Sequence, residues 1–287
     1  MATLWKSRFK FKYILFGLLL SYIIMCQSCM TMRMSVRETN TYFGTLKIPF
    51  ANKTIAVGNH KIHYIQTGNP ENPTLFFVHG SPGSWDAFKQ YLADSLLLKK
   101  YRMVAIDRPG FGNSDFGQAE SLASQSEIIE GFIAQVDNHK PITLVGHSLG
   151  GPLIVKMATE KPNDFQRLVI LAGAVDPRAE TPENWRQILM AKPVRYLIPG
   201  ALRPANDELW WLKSDLKEMQ PFLKNITMDV TIIHGTKDQL VPYSNVAFMR
   251  KEFVNARTIN VIAIDKANHF IPWEHFKLIR DVLYRLP

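Results

Sequence analysis

One short segment restricts the fold of this 287-residue chain more than any other. Ile142-Thr143-Leu144-Val145 is an apolar run that reads as a buried strand, and it leads directly into Gly146-His147-Ser148-Leu149-Gly150-Gly151. A helix is expected over Pro152–Glu160. A strand that passes into a helix through Gly-x-Ser-x-Gly must turn sharply, which holds the central serine in a strained backbone conformation and lifts its hydroxyl above the sheet. The residues two before and two after the serine approach each other too closely for side chains, so both are glycine. The helix behind Ser148 aims its first amides and its positive end at the place where negative charge would develop.

The rest of the chain repeats the same alternation. Strands are expected at Thr54–Val57 and His60–Thr67, around the Gly58-Asn59 turn, then at Thr74–Val78, Met103–Ile106, Ile142–Val145, Arg167–Leu171, Val230–Ile233 and Thr258–Ile264. Helical spacing marks Ser84–Tyr101, Leu122–Val136, Pro152–Glu160, Asn245–Phe253 and Trp273–Tyr284. Strands alternating with helices imply an α/β fold with a mainly parallel sheet, whose chemistry gathers at the carboxyl ends of the strands.

Composition closes off several function classes. Charged residues make up 21% and hydrophobic residues 46%, as in an ordinary globular protein. The net charge is +9, but Lys6, Arg8, Lys10 and Lys12 supply four of those charges, and the remaining basic residues are mixed with acidic ones. That pattern offers no stripe for nucleic acid. No metal-ligand cluster and no dinucleotide fingerprint occurs, so no cofactor is expected. Both cysteines, Cys26 and Cys29, lie near the N-terminus. The basic start followed by the apolar run Tyr13–Met25 reads as an export signal or a short membrane anchor over residues 1–28. Cys29 resembles the lipidated cysteine of a bacterial lipoprotein signal, although Cys26 stands where such signals usually carry Leu. This places the protein outside the cytoplasm, attached to a membrane through its N-terminus. Residues 29–53 read as a polar tether, and 54–287 as the folded domain.

Over residues 54–287 the sequence resembles the α/β-hydrolase family. The resemblance implies an eight-stranded, mostly parallel sheet, with a small helical cap inserted at about 178–227. It also implies the order serine, acid, histidine. Ser148 is then the nucleophile. His269, in Ala267-Asn268-His269-Phe270 just beyond a strand, is the base, while His234 and His275 are the other histidines after Ser148. Asp238, in Gly235-Thr236-Lys237-Asp238, is the acid, with Asp176 as runner-up. His79-Gly80-Ser81-Pro82 resembles the oxyanion loop, which assigns the two backbone donors to Ser81 and Leu149 and makes Pro82 a candidate cis residue. Asp107–Asp115, charged and Gly-rich, reads as structural. The same His-Gly-x-Pro loop followed by Trp85 also resembles epoxide hydrolases and haloalkane dehalogenases, which attack with aspartate. A serine at the elbow points instead to acyl transfer on a small, apolar ester. The alternatives are a C–C bond hydrolase, a cofactor-free haloperoxidase relative, or a non-catalytic binding protein on the same fold.

Overall fold

A computed structural model describes residues 2–181 and 183–287, with side chains from residue 11 onward. The basic side chains of Lys6, Arg8 and Lys10 therefore lie outside the described residues. Eight strands form one sheet: β1 (Phe50–Val57), β2 (His60–Thr67), β3 (Thr74–Val78), β4 (Arg102–Ile106), β5 (Ile142–His147), β6 (Arg167–Leu171), β7 (Asp229–Gly235) and β8 (Thr258–Ile264), in the order β1-β2-β4-β3-β5-β6-β7-β8. β2 runs antiparallel to both β1 and β4, and every ladder from β4 to β8 is parallel.

The central strands are apolar at successive positions because both faces are covered. Phe76 and Val78 of β3 point to one side, where they meet α5 (Leu122–Val136) and α6 (Gly150–Glu160). Leu75 and Phe77 point to the other, where they meet α3 (Lys89–Leu92), α4 (Ser95–Lys100) and α11 (Phe276–Arg285). The helix expected over Ser84–Tyr101 is broken into a 3₁₀ turn, α3 and α4, because Asp94 caps a new start by accepting from the Leu96 and Leu97 N–H groups at 3.0 and 3.1 Å. The closing helix splits in the same way, into α10 (Ile271–Glu274) and α11.

Between β6 and β7 the chain is helical: α7 (Trp185–Met190), a 3₁₀ turn at Val194–Leu197, α8 (Leu202–Met219) and a second 3₁₀ turn at Gln220–Asn225. Leu212, Leu216 and Met219 of α8 enter the core beside α6, while Trp185 stays half exposed. Helix α9 (Ser244–Glu252) fills the connection from β7 to β8.

The N-terminal third of the sequence reading needs two corrections. Residues 29–53 are not a polar tether. Val36–Thr45 forms α2, opened by a capping box in which the Ser35 hydroxyl accepts from the Glu38 N–H and the Glu38 carboxylate accepts from the Ser35 N–H. Phe43 of α2 is fully buried, stacked on Phe50 at 4.7 Å and on Trp85 at 6.0 Å, and β1 already begins at Phe50. The apolar N-terminal run is also longer than the 13 residues read from composition. Ala2–Ser28 is one helix, α1, in which Phe11–Ser28 is long and apolar enough to cross a membrane. The apolar string ends at Met25, but the helix runs on through Cys26–Ser28 and begins well before Tyr13.

Candidate active site

Ser148 sits between β5 and α6 with φ +54°, a left-handed conformation that costs a non-glycine residue free energy and holds the hydroxyl out of both elements. Its neighbours are pinned. The Ser148 N–H donates to Leu171 O at 2.9 Å, and its carbonyl accepts from Gly151 N–H at 2.9 Å. A Cβ on Gly146 would run into the Gly150 carbonyl, and one on Gly150 into the Val78 carbonyl, so neither glycine has an alternative here.

The loop after β3 closes over the elbow. A Cβ on Gly80 would stand 2.8 Å from the Ser148 Cβ, and the Ser81–Pro82 peptide is cis. Among the described hydrogen bonds, neither the Ser81 nor the Leu149 N–H has a protein acceptor. Both residues line the same cavity as Ser148, and unspent amides there could hold a developing oxyanion. His79 braces the loop from behind. Its Nδ1–H donates to Gly80 O at 2.7 Å, and its Nε2 accepts from the Arg108 N–H at 3.0 Å. That pairing fixes a neutral imidazole, and full burial, with the Arg108 charge adding to it, holds the ring well below its usual pKa.

His269 lies in the loop after β8 and lines the same cavity as Ser148. Its Nδ1–H donates to Asp238 Oδ2 at 2.7 Å, which leaves Nε2 with a free lone pair. Asp238 Oδ1 accepts from the Leu240 and Val241 N–H groups at 2.9 and 2.8 Å. Burial works to raise this carboxyl, but the hydrogen bonds from His269 and Val241 win and hold it below the ordinary carboxylate range. Asp176 is turned elsewhere, to the Arg178 guanidinium and the Arg178 N–H. His234 is buried and donates from Nε2 to Val241 O at 2.9 Å, so it shapes the acid loop. His147 donates from Nε2 to His269 O at 3.2 Å and tilts against that ring at 4.8 Å between centroids. Burial, with the neighbouring His269 charge, pushes it down to about 3, so it is neutral.

Two structural roles were not apparent from residue type. Arg108, in the loop read only as structural, is fully buried and forms a bidentate pair with Glu208 of α8 at 2.8 and 2.9 Å. Its Nη2 also donates to Gly80 O at 3.0 Å, and Gln125 Oε1 accepts from Nη1 at 2.8 Å. One guanidinium therefore ties the helical insertion to the loop over Ser148. Asp107 is the second. It accepts from the Trp85 N–H at 2.7 Å, the Asn113 N–H at 2.8 Å and His63 Nδ1–H at 2.8 Å, knitting three loops together.

The cavity above Ser148 holds about 810 Å³. Leu209 and Leu212 of α8 form one wall, Phe270 and Trp273 another, and Met32 and Arg33 close a third side. Burial raises the carboxyls of Asp86 and Glu180, which also line it. Cys26 is buried and Cys29 exposed, and neither is in a disulfide.

The strand order, the elbow after β5 and the insertion after β6 decide the fold. The chain has the α/β-hydrolase fold. A family profile described as "alpha/beta hydrolase fold" matches residues 73–196. Among curated proteins, the chain is similar to the uncharacterized hydrolase YugF of Bacillus subtilis (23% identity, covering 80% of this chain and 95% of that one). It is also similar to a pimeloyl-[acyl-carrier protein] methyl ester esterase of Nitrosomonas europaea (24% identity, 69% and 89%). Among solved structures it resembles a membrane phospholipase A described as a bacterial virulence factor, with TM-score 0.65 and 19% identity over 98% of this chain and 100% of that one.

Proposed function

We propose that this α/β-hydrolase is a serine hydrolase that cleaves a carboxylic ester with an apolar acyl group by acyl transfer through Ser148. The observation that carries the reading is the Nδ1–H···Oδ2 bond from His269 to Asp238, 2.7 Å long, on a ring that faces the same cavity as the strained Ser148. Asp238 fixes the tautomer, so His269 Nε2 accepts the proton as Ser148 Oγ forms its bond to the ester carbon. The oxyanion is held by the N–H groups of Ser81 and Leu149. The carbon–oxygen bond to the alcohol then breaks, and the His269 proton leaves with that alcohol. Water, deprotonated by the same Nε2, releases the acid and restores Ser148. The residues of the site accomplish this without a cofactor.

The apolar walls from Leu209, Leu212, Phe270 and Trp273, in a volume within the range of small-molecule pockets, suit an acyl chain. The methyl ester esterase and the phospholipase among the similar proteins also name ester-cleaving activities. The basic start and apolar helix support a protein exported and held at a membrane through its N-terminus. The test is labelling with a fluorophosphonate probe together with hydrolysis of p-nitrophenyl butyrate. Wild type gains one adduct and turns the ester over, and Ser148→Ala does neither. A wild type that takes no adduct and cleaves no ester overturns the reading and leaves a binding protein.

A further inference from the structure

The helix α1 is not a free appendage. Its last turns dock on the helical insertion: Tyr22 Oη donates to Leu197 O at 3.2 Å, Gln27 Nε2 to Tyr196 O at 3.0 Å, and Cys26 Sγ lies 3.4 Å from Leu197 O. Backbone joins in, with Gly200 N–H donating to Cys26 O at 2.8 Å and Ala201 N–H to Met30 O at 3.0 Å. Gly200, with φ +39°, has no room for a Cβ because the Cys29 and Met30 carbonyls fill that space. Four residues beyond the helix, within about 14 Å of extended chain, Met32 and Arg33 are part of the cavity wall. Arg33 is fixed there by donating to Gly112 O at 2.8 Å and by lying over the Phe116 ring.

Outside these contacts α1 is bare. The stretch Phe11–Ser28, whose last turns are the docked ones, has mean hydropathy 1.5 and is only 6% buried. At 1.5 Å per residue it is about 27 Å long, close to the ~30 Å of a bilayer's hydrocarbon. Upstream stand Lys6, Arg8 and Lys10, with Lys12 at the start of the stretch and no acidic residue among them, a charge pattern that complements anionic lipid headgroups. Apolar side chains are exposed on the insertion and on the cavity rim as well: Ile188 (64%) and Trp185 (48%) on α7, Leu240 (64%) and Phe270 (49%) beside the opening. A helix that crosses a bilayer while its end is clamped to the insertion fixes the height of the cavity above that bilayer.

We infer that α1 is retained in the working protein, crosses the membrane, and holds the cavity mouth against the lipid surface, so that the ester is taken from the bilayer and not from water. The docking stands on its own geometry; the identity of the substrate as a membrane-embedded ester rests on the hydrolase reading above. The occupant of the exposed apolar surface is the lipid bilayer itself.

The experiment uses the full chain reconstituted in vesicles of phosphatidylcholine and phosphatidylglycerol. The intact mass of protein extracted from its native membrane should include α1; a chain beginning at Cys29 overturns the inference. Lipids brominated near the headgroup should quench the fluorescence lost in Trp185→Phe and Trp273→Phe, and no such quenching means that the mouth faces water. The double variant Trp185→Glu, Ile188→Glu, which lies outside the cavity wall, should lower hydrolysis of a long-chain ester embedded in the vesicles by roughly tenfold or more, given the apolar area it withdraws from lipid. Its rate on p-nitrophenyl butyrate should stay at the wild-type level. Equal rates on the embedded ester overturn substrate capture from the bilayer. Loss of both activities in the wild type, with quenching intact, would instead remove the hydrolase reading and leave the docking in place.

Discussion

The Arg108–Glu208 pair makes a quantitative test of how the insertion supports the site. Both side chains are buried, at 0% and 3% exposure, and the contact is bidentate. Replacing Glu208 by Ala leaves a guanidinium with no counter-charge inside the protein. It keeps two neutral acceptors, Gln125 Oε1 and Gly80 O. Breaking one side of a buried pair typically costs about 3–5 kcal/mol, a large part of a total stability of about 5–15 kcal/mol. At about 2–4 °C per kcal/mol for a large domain, that corresponds to a fall of about 6–20 °C in Tm. The double variant Arg108→Met, Glu208→Leu removes both charges together and should recover most of that loss, since well-packed apolar replacements of buried pairs are often neutral or better. It should not recover kcat on a soluble ester, because the Gly80 carbonyl next to the Ser81 amide has lost the Arg108 donor and keeps only His79. Thermal unfolding and kcat on p-nitrophenyl butyrate, measured for the three proteins, decide the matter. A Glu208→Ala Tm within 2 °C of wild type, or a double variant with restored kcat, refutes the argument.

Three further outcomes follow from the packing and the protonation states. Phe43→Ala, which empties a fully buried ring site between Phe50 and Trp85, should cost about 3–5 kcal/mol in urea unfolding; an exposed tether would tolerate it. Asp238→Asn should lower kcat about 10³–10⁴-fold by loosening the His269 tautomer, whereas Asp176→Asn, whose carboxylate serves Arg178, should leave kcat near wild type. His147 is neutral in the fold down to about pH 3 but titrates near 6.5 when unfolded. The unfolded chain therefore binds an extra proton between those values, and stability falls as pH drops through 6.5, by up to about 1.4 kcal/mol per pH unit. His147→Gln should flatten the difference in Tm between pH 7.5 and pH 5; an unchanged slope means that the ring is not the group responsible.

What could be read from residues alone was whatever depends on local pattern. The strand into Gly146-His147-Ser148 and the apolar runs of β3 to β7 are contiguous or periodic signals, whereas the order of Ser148, Asp238 and His269 is what the resemblance to the α/β-hydrolase family implies. Each of those signals has a physical cause within a few residues: close glycines, two covered faces. Arg108 shows the limit. Nothing near it in sequence announces Glu208, 100 residues away, and a charged Gly-rich loop looks solvent-exposed until α8 lies across it. The misread tether had a signal that was available. Ser35-Val36-Arg37-Glu38 is a capping box, and Phe43 follows on the helix it opens, but the polar composition of Arg33–Thr45 outweighed both. The length of α1 was underread because the helix continues past both ends of the apolar run, before Tyr13 and through Cys26–Ser28, where apolar composition stops.

The pairing of β6 with β7 has a consequence for how such a protein can change. The two strands are hydrogen-bonded from Arg167↔Asp229 to Leu171↔Ile233, so the sheet is closed across the base of the helical insertion. The insertion is thus a loop with fixed ends, and doubling the length of a flexible loop adds only about 0.6 kcal/mol of closure cost. Residues can be gained or lost there while Ser148, Asp238 and His269 keep their strands. Since the same segment supplies Leu209 and Leu212 to the cavity and receives the end of α1, lineages of this protein would be expected to diverge in which molecules they accept, and from which surface, by indels in this one stretch.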